Sequence, residues 1–210
     1  MSESAAKIYV PGEERLNVWS HALGTLFALV MTVTLLAFST TVFKIAGAVI
    51  YGVSLCVLFC GSTLYHAAKE PVKRAKLRQL DHAAIYFLIA GTYTPLMLVG
   101  LPDVWGLSVM AAVWLLGITG VTLELLKIKP FKGFSIIIYI LMGWACAVIM
   151  PDLIHKLPGN SFACLLAGGI AYTAGVPFYI LRKNYSHALW HVFVLVGAVL
   201  QFVAILLLYR

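Results

Sequence analysis

Five side chains able to handle metals and protons punctuate an otherwise greasy chain: Ser62, His66, Asp81, His187 and His191. Ser62 and His66 are four positions apart, as are His187 and His191, so on a helix each pair shares one face. Two imidazoles at that spacing can chelate one ion, which is the physics of zinc-binding helical motifs. Each group lies at the end of an apolar segment, next to Lys and Arg. At about 1.5 Å of rise per residue, all of them sit roughly 5–12 Å inward from that basic belt. Ionisable groups held in a bilayer are costly and mark a functional site by default. Three imidazoles and a carboxylate at one level make Zn²⁺ the leading partner, with an open fourth position typical of catalytic sites. Asp81 is then placed to hold water and Ser62 to donate a hydrogen bond to it or to an oxyanion. The competing reading makes each imidazole an interfacial hydrogen-bonder that caps a loop or meets lipid headgroups. Agreement in depth across three helices weighs against it.

Glu14, Asn17 and His21 form a further polar group at the entrance to the first apolar segment. They are expected just beyond the metal ligands, although His21 also has the depth of a fourth ligand. The alternative is a plain helix start with an interfacial Trp19. His82 is rotated about 100° from Asp81 and is read as packing. His155 belongs to the opposite side. Leu88 and Thr92 fall within about 20° of the face of Asp81, which suggests an apolar cavity leading inward. Cys56, Cys60, Cys146 and Cys164 all fall in apolar segments without a CxxC pair and are read as small buried hydrophobes.

The elements that must position these groups follow from composition. Of 210 residues, 62% are hydrophobic and 11% charged, more apolar surface than a soluble domain of this length can hide. Lipid must solvate it, and a backbone in lipid has to satisfy its own hydrogen bonds, so an all-α, polytopic bundle is expected. Windows of about twenty apolar residues fall at 18–40, 44–67, 82–101, 104–126, 134–150, 162–181 and 187–209, seven transmembrane helices in a single domain, 1–210. Asp81 then opens the third helix. Pro102-Asp103 makes a turn so short that the third and fourth helices become antiparallel neighbours. Pro151-Asp152 and Pro158-Gly159 punctuate a loop after the fifth. Ala163, Ala167, Ala171 and Gly175 form a stripe of small residues that invites a neighbouring helix. Pro95 and Pro177 fall within spans, where they can kink a helix and open space.

The net charge of +7 is distributed by topology rather than as a nucleic-acid surface. With the N-terminus cytoplasmic, twelve of the fifteen Lys and Arg lie inside: Lys7, Arg15, Lys69, Lys73, Arg74, Lys76, Arg78, Lys127, Lys129, Lys132, Arg182 and Lys183. Lys44, Lys156 and Arg210 lie outside. That bias puts the N-terminus in the cytoplasm and the C-terminus outside it. No signal-peptide pattern precedes the first span.

The motifs ExxNxxSH at 14–21, SxxxH at 62–66, Asp81 and HxxxH at 187–191 occur together and in order. That set resembles the progestin and adipoQ receptor superfamily. The short termini and the stretch from Leu80-Asp81-His82 to Thr94-Pro95 resemble its bacterial hemolysin III branch. The resemblance implies seven helices, a cytoplasmic N-terminus and a multi-pass protein of the bacterial inner membrane. It also implies Zn²⁺ held by His66, His187 and His191, with Asp81 nearby through water. Three functions are then open. One is a zinc-dependent hydrolase of a membrane lipid amide or ester, ceramidase-like, with Asp81 as base and Ser62 as oxyanion donor. The second is a non-catalytic membrane-homeostasis or sensor protein with structural zinc. The third is a cytolysin, for which polar residues through the bilayer centre are too few.

Overall fold

The computed structural model describes residues 9–128, 130–131, 133–181 and 183–210; Lys7, Lys129, Lys132 and Arg182, counted above for topology, lie outside them. Among the described residues the chain is all-helical, with seven rods long and apolar enough to cross a membrane. They are α1 (Pro11–Ala37), α2 (Val42–Ala67), α3 (Pro71–Pro95), α4 (Val104–Leu125), a composite of α5 (Phe134–Gly143) and α6 (Met150–Lys156), α7 (Gly159–Ile180) and α8 (Ser186–Tyr209). Large apolar side chains such as Val33, Leu115 and Val148 point outward from the bundle, a surface that lipid can solvate and water cannot.

Three spans run longer than hydropathy alone suggests. The first begins at Pro11 and the third at Pro71, each with proline in the first turn, where its missing N–H costs nothing. Asp81 therefore does not open the third helix. It sits well inside it, because Lys73, Arg74, Lys76 and Arg78 extend the helix as a charged prefix that an apolar window rejects. The fifth span also runs on. A 3-10 segment (Ala145–Ile149) links α5 to α6, and Pro151 lies in the first turn of α6 rather than in a loop. Pro95 does not end the third rod either; the chain continues as a π-helical turn over Leu96–Gly100.

The connection from Leu101 to Asp103 is short, and Asp103 caps α4 by accepting from the Trp105 and Gly106 backbone N–H groups, both at 3.0 Å. Lys156 from the end of α6 reaches Asp103 at 2.7 Å and holds its carboxyl below the ordinary carboxylate range.

The helices pack in sequence from α1 to α4, and α8 closes the bundle against α1 and α7. Rod three is the central one, buried over 61% of its most apolar stretch against 11% for α7. The buried positions of α1 are Glu13, Asn17, His21, Gly24, Ala28, Met31 and Leu35, an alternation of three and four that makes one stripe. Its polar half points at the site and its apolar half into the core.

Small residues set the closest approaches. A methyl group added at Gly24 would stand 2.5 Å from the Phe59 ring of α2, and one at Gly175 would stand 2.8 Å from Trp190 of α8. The expected stripe on α7 is offset, since Ala163 is exposed and the buried face is Ser161, Leu165, Gly168 and Gly175. Of the four cysteines, Cys60 is exposed on the outside of α2 rather than buried.

Candidate metal centre

His66 lies in the last turn of α2, and His187 and His191 in the first two turns of α8. All three are buried, and each offers one ring nitrogen within 4.8 Å of the others. The ring centroids are 5.2 Å (His66–His187), 5.0 Å (His66–His191) and 4.7 Å (His187–His191) apart. Residues far apart in the chain thus form one donor set, close enough for a single ion.

The hydrogen bonds around two of these rings fix which nitrogen is free. Glu14 Oε2 lies 3.0 Å from His66 Nδ1, and a carboxylate can only accept, so Nδ1 carries the hydrogen. The Asn17 amide nitrogen is more distant at 3.5 Å and does not override that choice. His66 Nε2 is then a bare lone pair, and it is buried without a hydrogen-bond partner. The Ser20 hydroxyl donates to the Asn17 carbonyl at 3.1 Å, so its oxygen is left to accept from His191 Nδ1, also at 3.1 Å. Imidazoles that donate from one nitrogen to an oxygen and present the other are the usual form of metal ligands. The donor set therefore fits a metal ion.

Helix α1 supplies these acceptors and contributes none of the three rings. Arg74, from the charged prefix of α3, pairs with the other oxygen of Glu14 and donates to the Ala68 carbonyl at 3.1 Å, which holds Glu14 in place. Glu13 Oε1 accepts the His187 backbone N–H at 3.0 Å in the first turn of α8, where a negative charge also suits the helix dipole. Tyr9 stacks on His187 with centroids 4.7 Å apart and covers the site from the N-terminal side. That burial pushes its phenol above the ordinary range.

His21 lies outside the three-ring set. It stacks flat on His191 at 3.6 Å and meets Phe59 edge-on at 5.1 Å. Glu14 and Asn17 both approach His66. Ser62 and Asp81 stand together at the polar end of a cavity of about 160 Å³ that His187 and His191 also line. Leu88 and Thr92, placed on its wall by helical phase, do line it, and Gln201 lies farther along α8. His155 is in the last turn of α6, away from the cluster.

A second polar group beside the cavity escaped the sequence reading. His82 is not mere packing: its Nδ1 lies 3.4 Å from Glu124 Oε1 on α4, and its Nε2 lies 3.4 Å from the Tyr179 hydroxyl on α7. Ser135 donates to Glu124 Oε2 at 3.1 Å, and Tyr139 donates to the His82 carbonyl at 2.8 Å. The available signal was Glu124 itself, an acid inside an apolar span. Ser20 stood inside the ExxNxxSH motif without a role assigned to it, and Glu13, Arg74 and Tyr9 were missed because nothing in their spacing ties them to residues elsewhere in the chain.

Comparison with known proteins agrees with this architecture. A family model described as "Haemolysin-III related" matches residues 10–202. The chain is 36% identical over 198 residues to Hemolysin-3 of Bacillus cereus, covering 92% of this chain and 90% of that protein. It is equally similar to the Hemolysin-3 homolog of Bacillus subtilis (strain 168), at 36% over 198 residues, with 92% and 93% covered. The human monocyte to macrophage differentiation factor is 29% identical over 207 residues, with 92% of this chain and 83% of that protein covered. The chain is thus a multi-pass membrane protein of the haemolysin-III related family, within the progestin and adipoQ receptor superfamily.

Proposed function

We propose that this protein is a zinc-dependent hydrolase of an amide or ester bond in a membrane lipid, with its site near the cytoplasmic face of the cell membrane. One observation carries the reading. His66, whose buried Nε2 has no hydrogen-bond partner, offers a ring nitrogen within 4.8 Å of those of His187 and His191, and the latter two line an apolar cavity that also presents Asp81 and Ser62. His66, His187 and His191 would hold the ion. When bound, zinc supplies Lewis acidity, which makes water a nucleophile near neutral pH and polarises a carbonyl.

The remaining work falls to the chain itself. Asp81 takes the proton that the attacking water gives up. The Ser62 hydroxyl donates to the carbonyl oxygen as negative charge develops there. Leu88, Thr92 and the rest of the apolar wall take up the acyl chain and keep bulk water from it. The same wall offers too few polar groups to conduct ions, which argues against an intrinsic pore despite the hemolysin name of its relatives.

A second reading has its own support. α2 and α8 both pack on α1, and the three rings bring their ends together, so a bound ion would tie the bundle at that point even without turnover. The two readings part in one experiment. Zinc content and hydrolysis of a panel of lipid amides and esters are measured for wild type, His191→Ala, His155→Ala and Asp81→Asn. The hydrolase reading expects zinc to be lost in His191→Ala alone and turnover to be lost in Asp81→Asn with zinc retained. Undiminished hydrolysis in Asp81→Asn would refute the mechanism. Zinc-loaded wild type that cleaves nothing would leave the structural role.

A further inference from the structure

The hydrolase reading accounts for the cluster on α2 and α8 but leaves the His82–Glu124–Tyr179 group without a task. Three features set it apart from ordinary packing. Glu124 is a buried acid within an apolar span, an arrangement costly enough to need a reason. Its carboxylate lies 3.4 Å from His82 Nδ1 and takes a hydrogen bond from Ser135 at 3.1 Å, so the imidazole is held from one side. His82 Nε2, the ring nitrogen turned away from Glu124, lies 3.4 Å from the Tyr179 hydroxyl. The Tyr179 ring in turn stands 6.0 Å from that of His187, and both side chains line the cavity with Asp81 and Ser62.

A carboxylate behind an imidazole behind a hydroxyl is the arrangement that moves a proton to or from that hydroxyl. Here the hydroxyl is a phenol, which holds its proton at neutral pH. It is therefore suited to donate to a departing group rather than to attack. The hydrolysis needs such a donor. Asp81 is engaged with the attacking water, and an amine leaving as an anion is prohibitively basic.

Resting on the hydrolase reading, we propose that Tyr179 is the catalytic acid that protonates the leaving group, and that His82 and Glu124 are the residues that position and recharge it. One proton of the water passes to Asp81 while its oxygen bonds to the carbonyl carbon. The C–N or C–O bond then breaks, its electron pair goes to the leaving atom, and that atom takes the Tyr179 proton. The proton held by Asp81 then passes by way of water to the lone pair on His82 Nε2, left bare because Nδ1 donates to Glu124, and on from there to the phenolate, which returns the site to its starting charge.

The test compares two substrates in the full-length, zinc-loaded protein: a lipid alkylamide and a nitrophenyl ester of the same acyl chain. Nitrophenolate leaves without protonation, so an acid catalyst is dispensable for the ester and essential for the amide. Tyr179→Phe should lower kcat on the amide by about 10²–10⁴-fold, the usual worth of general acid catalysis. On the nitrophenyl ester it should change kcat by less than about threefold, because the group removed acts on leaving-group departure alone. His82→Gln and Glu124→Gln should show the same selective loss, smaller in size. Zinc content and thermal midpoint should match wild type in Tyr179→Phe, which separates this role from support of the metal site. Equal losses on both substrates, or none on either, would overturn the assignment while leaving the hydrolase reading in place. Wild type inert towards both substrates would remove that reading, and this assignment with it.

Discussion

Glu14 is the residue whose removal should say most about the candidate metal centre, although it is not among the three candidate ligands. Its carboxylate accepts from His66 Nδ1 at 3.0 Å and so leaves Nε2 bare to meet an ion. In Glu14→Ala the remaining polar neighbour of Nδ1 is the Asn17 amide nitrogen at 3.5 Å, a donor. A donor favours the opposite tautomer, with the lone pair on Nδ1 and the hydrogen on Nε2, where it blocks the metal. Replacing such a supporting acceptor elsewhere costs 10- to 100-fold in metal affinity, about 1.4–2.7 kcal/mol. Glu14→Ala should fall at the upper end of that range. Glu14→Gln should fall at the lower end, because its amide oxygen can still accept from Nδ1. The double variant Glu14→Ala/Asn17→Ala should bind more tightly than Glu14→Ala alone, since the competing donor is gone. Competition titrations with a zinc chelator of known affinity measure all four proteins. Wild-type affinity in Glu14→Ala, or no recovery in the double variant, would refute the tautomer argument.

Other expectations follow from the same geometry. Ser62→Ala should keep its zinc and lose about 10²-fold in kcat if the hydroxyl donates to an oxyanion, as steady-state kinetics will show. Gly24→Leu should drive into Phe59 and, through it, displace His21, costing about 1–3 kcal/mol as overpacking does and lowering the thermal midpoint in detergent. A periplasm-active reporter fused after Arg210 should be active, while one inserted between Lys73 and Arg78 should behave as cytoplasmic; both on one side would contradict the basic-residue bias.

How much of this was legible in the sequence depends on the range of each interaction. The spans were readable because lipid imposes one rule on every residue of a segment. The His66–His187–His191 set was readable because i, i+4 spacing and depth are local properties that can be compared between helices. Helix starts were misjudged at Pro11 and Pro71 because charged turns continue a helix by backbone hydrogen bonding, to which hydropathy is blind. The small-residue stripe on α7 holds at Gly175, which lies against Trp190, and fails at Ala163, which is exposed, because smallness alone does not say which face a neighbouring helix takes. Ser20, Arg74 and the Glu124–His82 pair depend on which helix stands beside which, and a single sequence carries that information only weakly.

The ligands come from the second rod and the last, and α1 stands between those rods while holding the rings in their binding form. Two ends of the chain's synthesis therefore meet at one point. The three rings do not come together until α8 has been inserted, so an ion held by them would be acquired at the close of biogenesis rather than guide it. Linkage then works in reverse. An ion that binds the finished bundle and not its precursors holds α8 in place, adding about 1.4 kcal/mol of stability for each tenfold rise in free ion above its dissociation constant. With an ion bound in this way, the lifetime of the assembled protein would become a reading of the metal available in the compartment that the site faces.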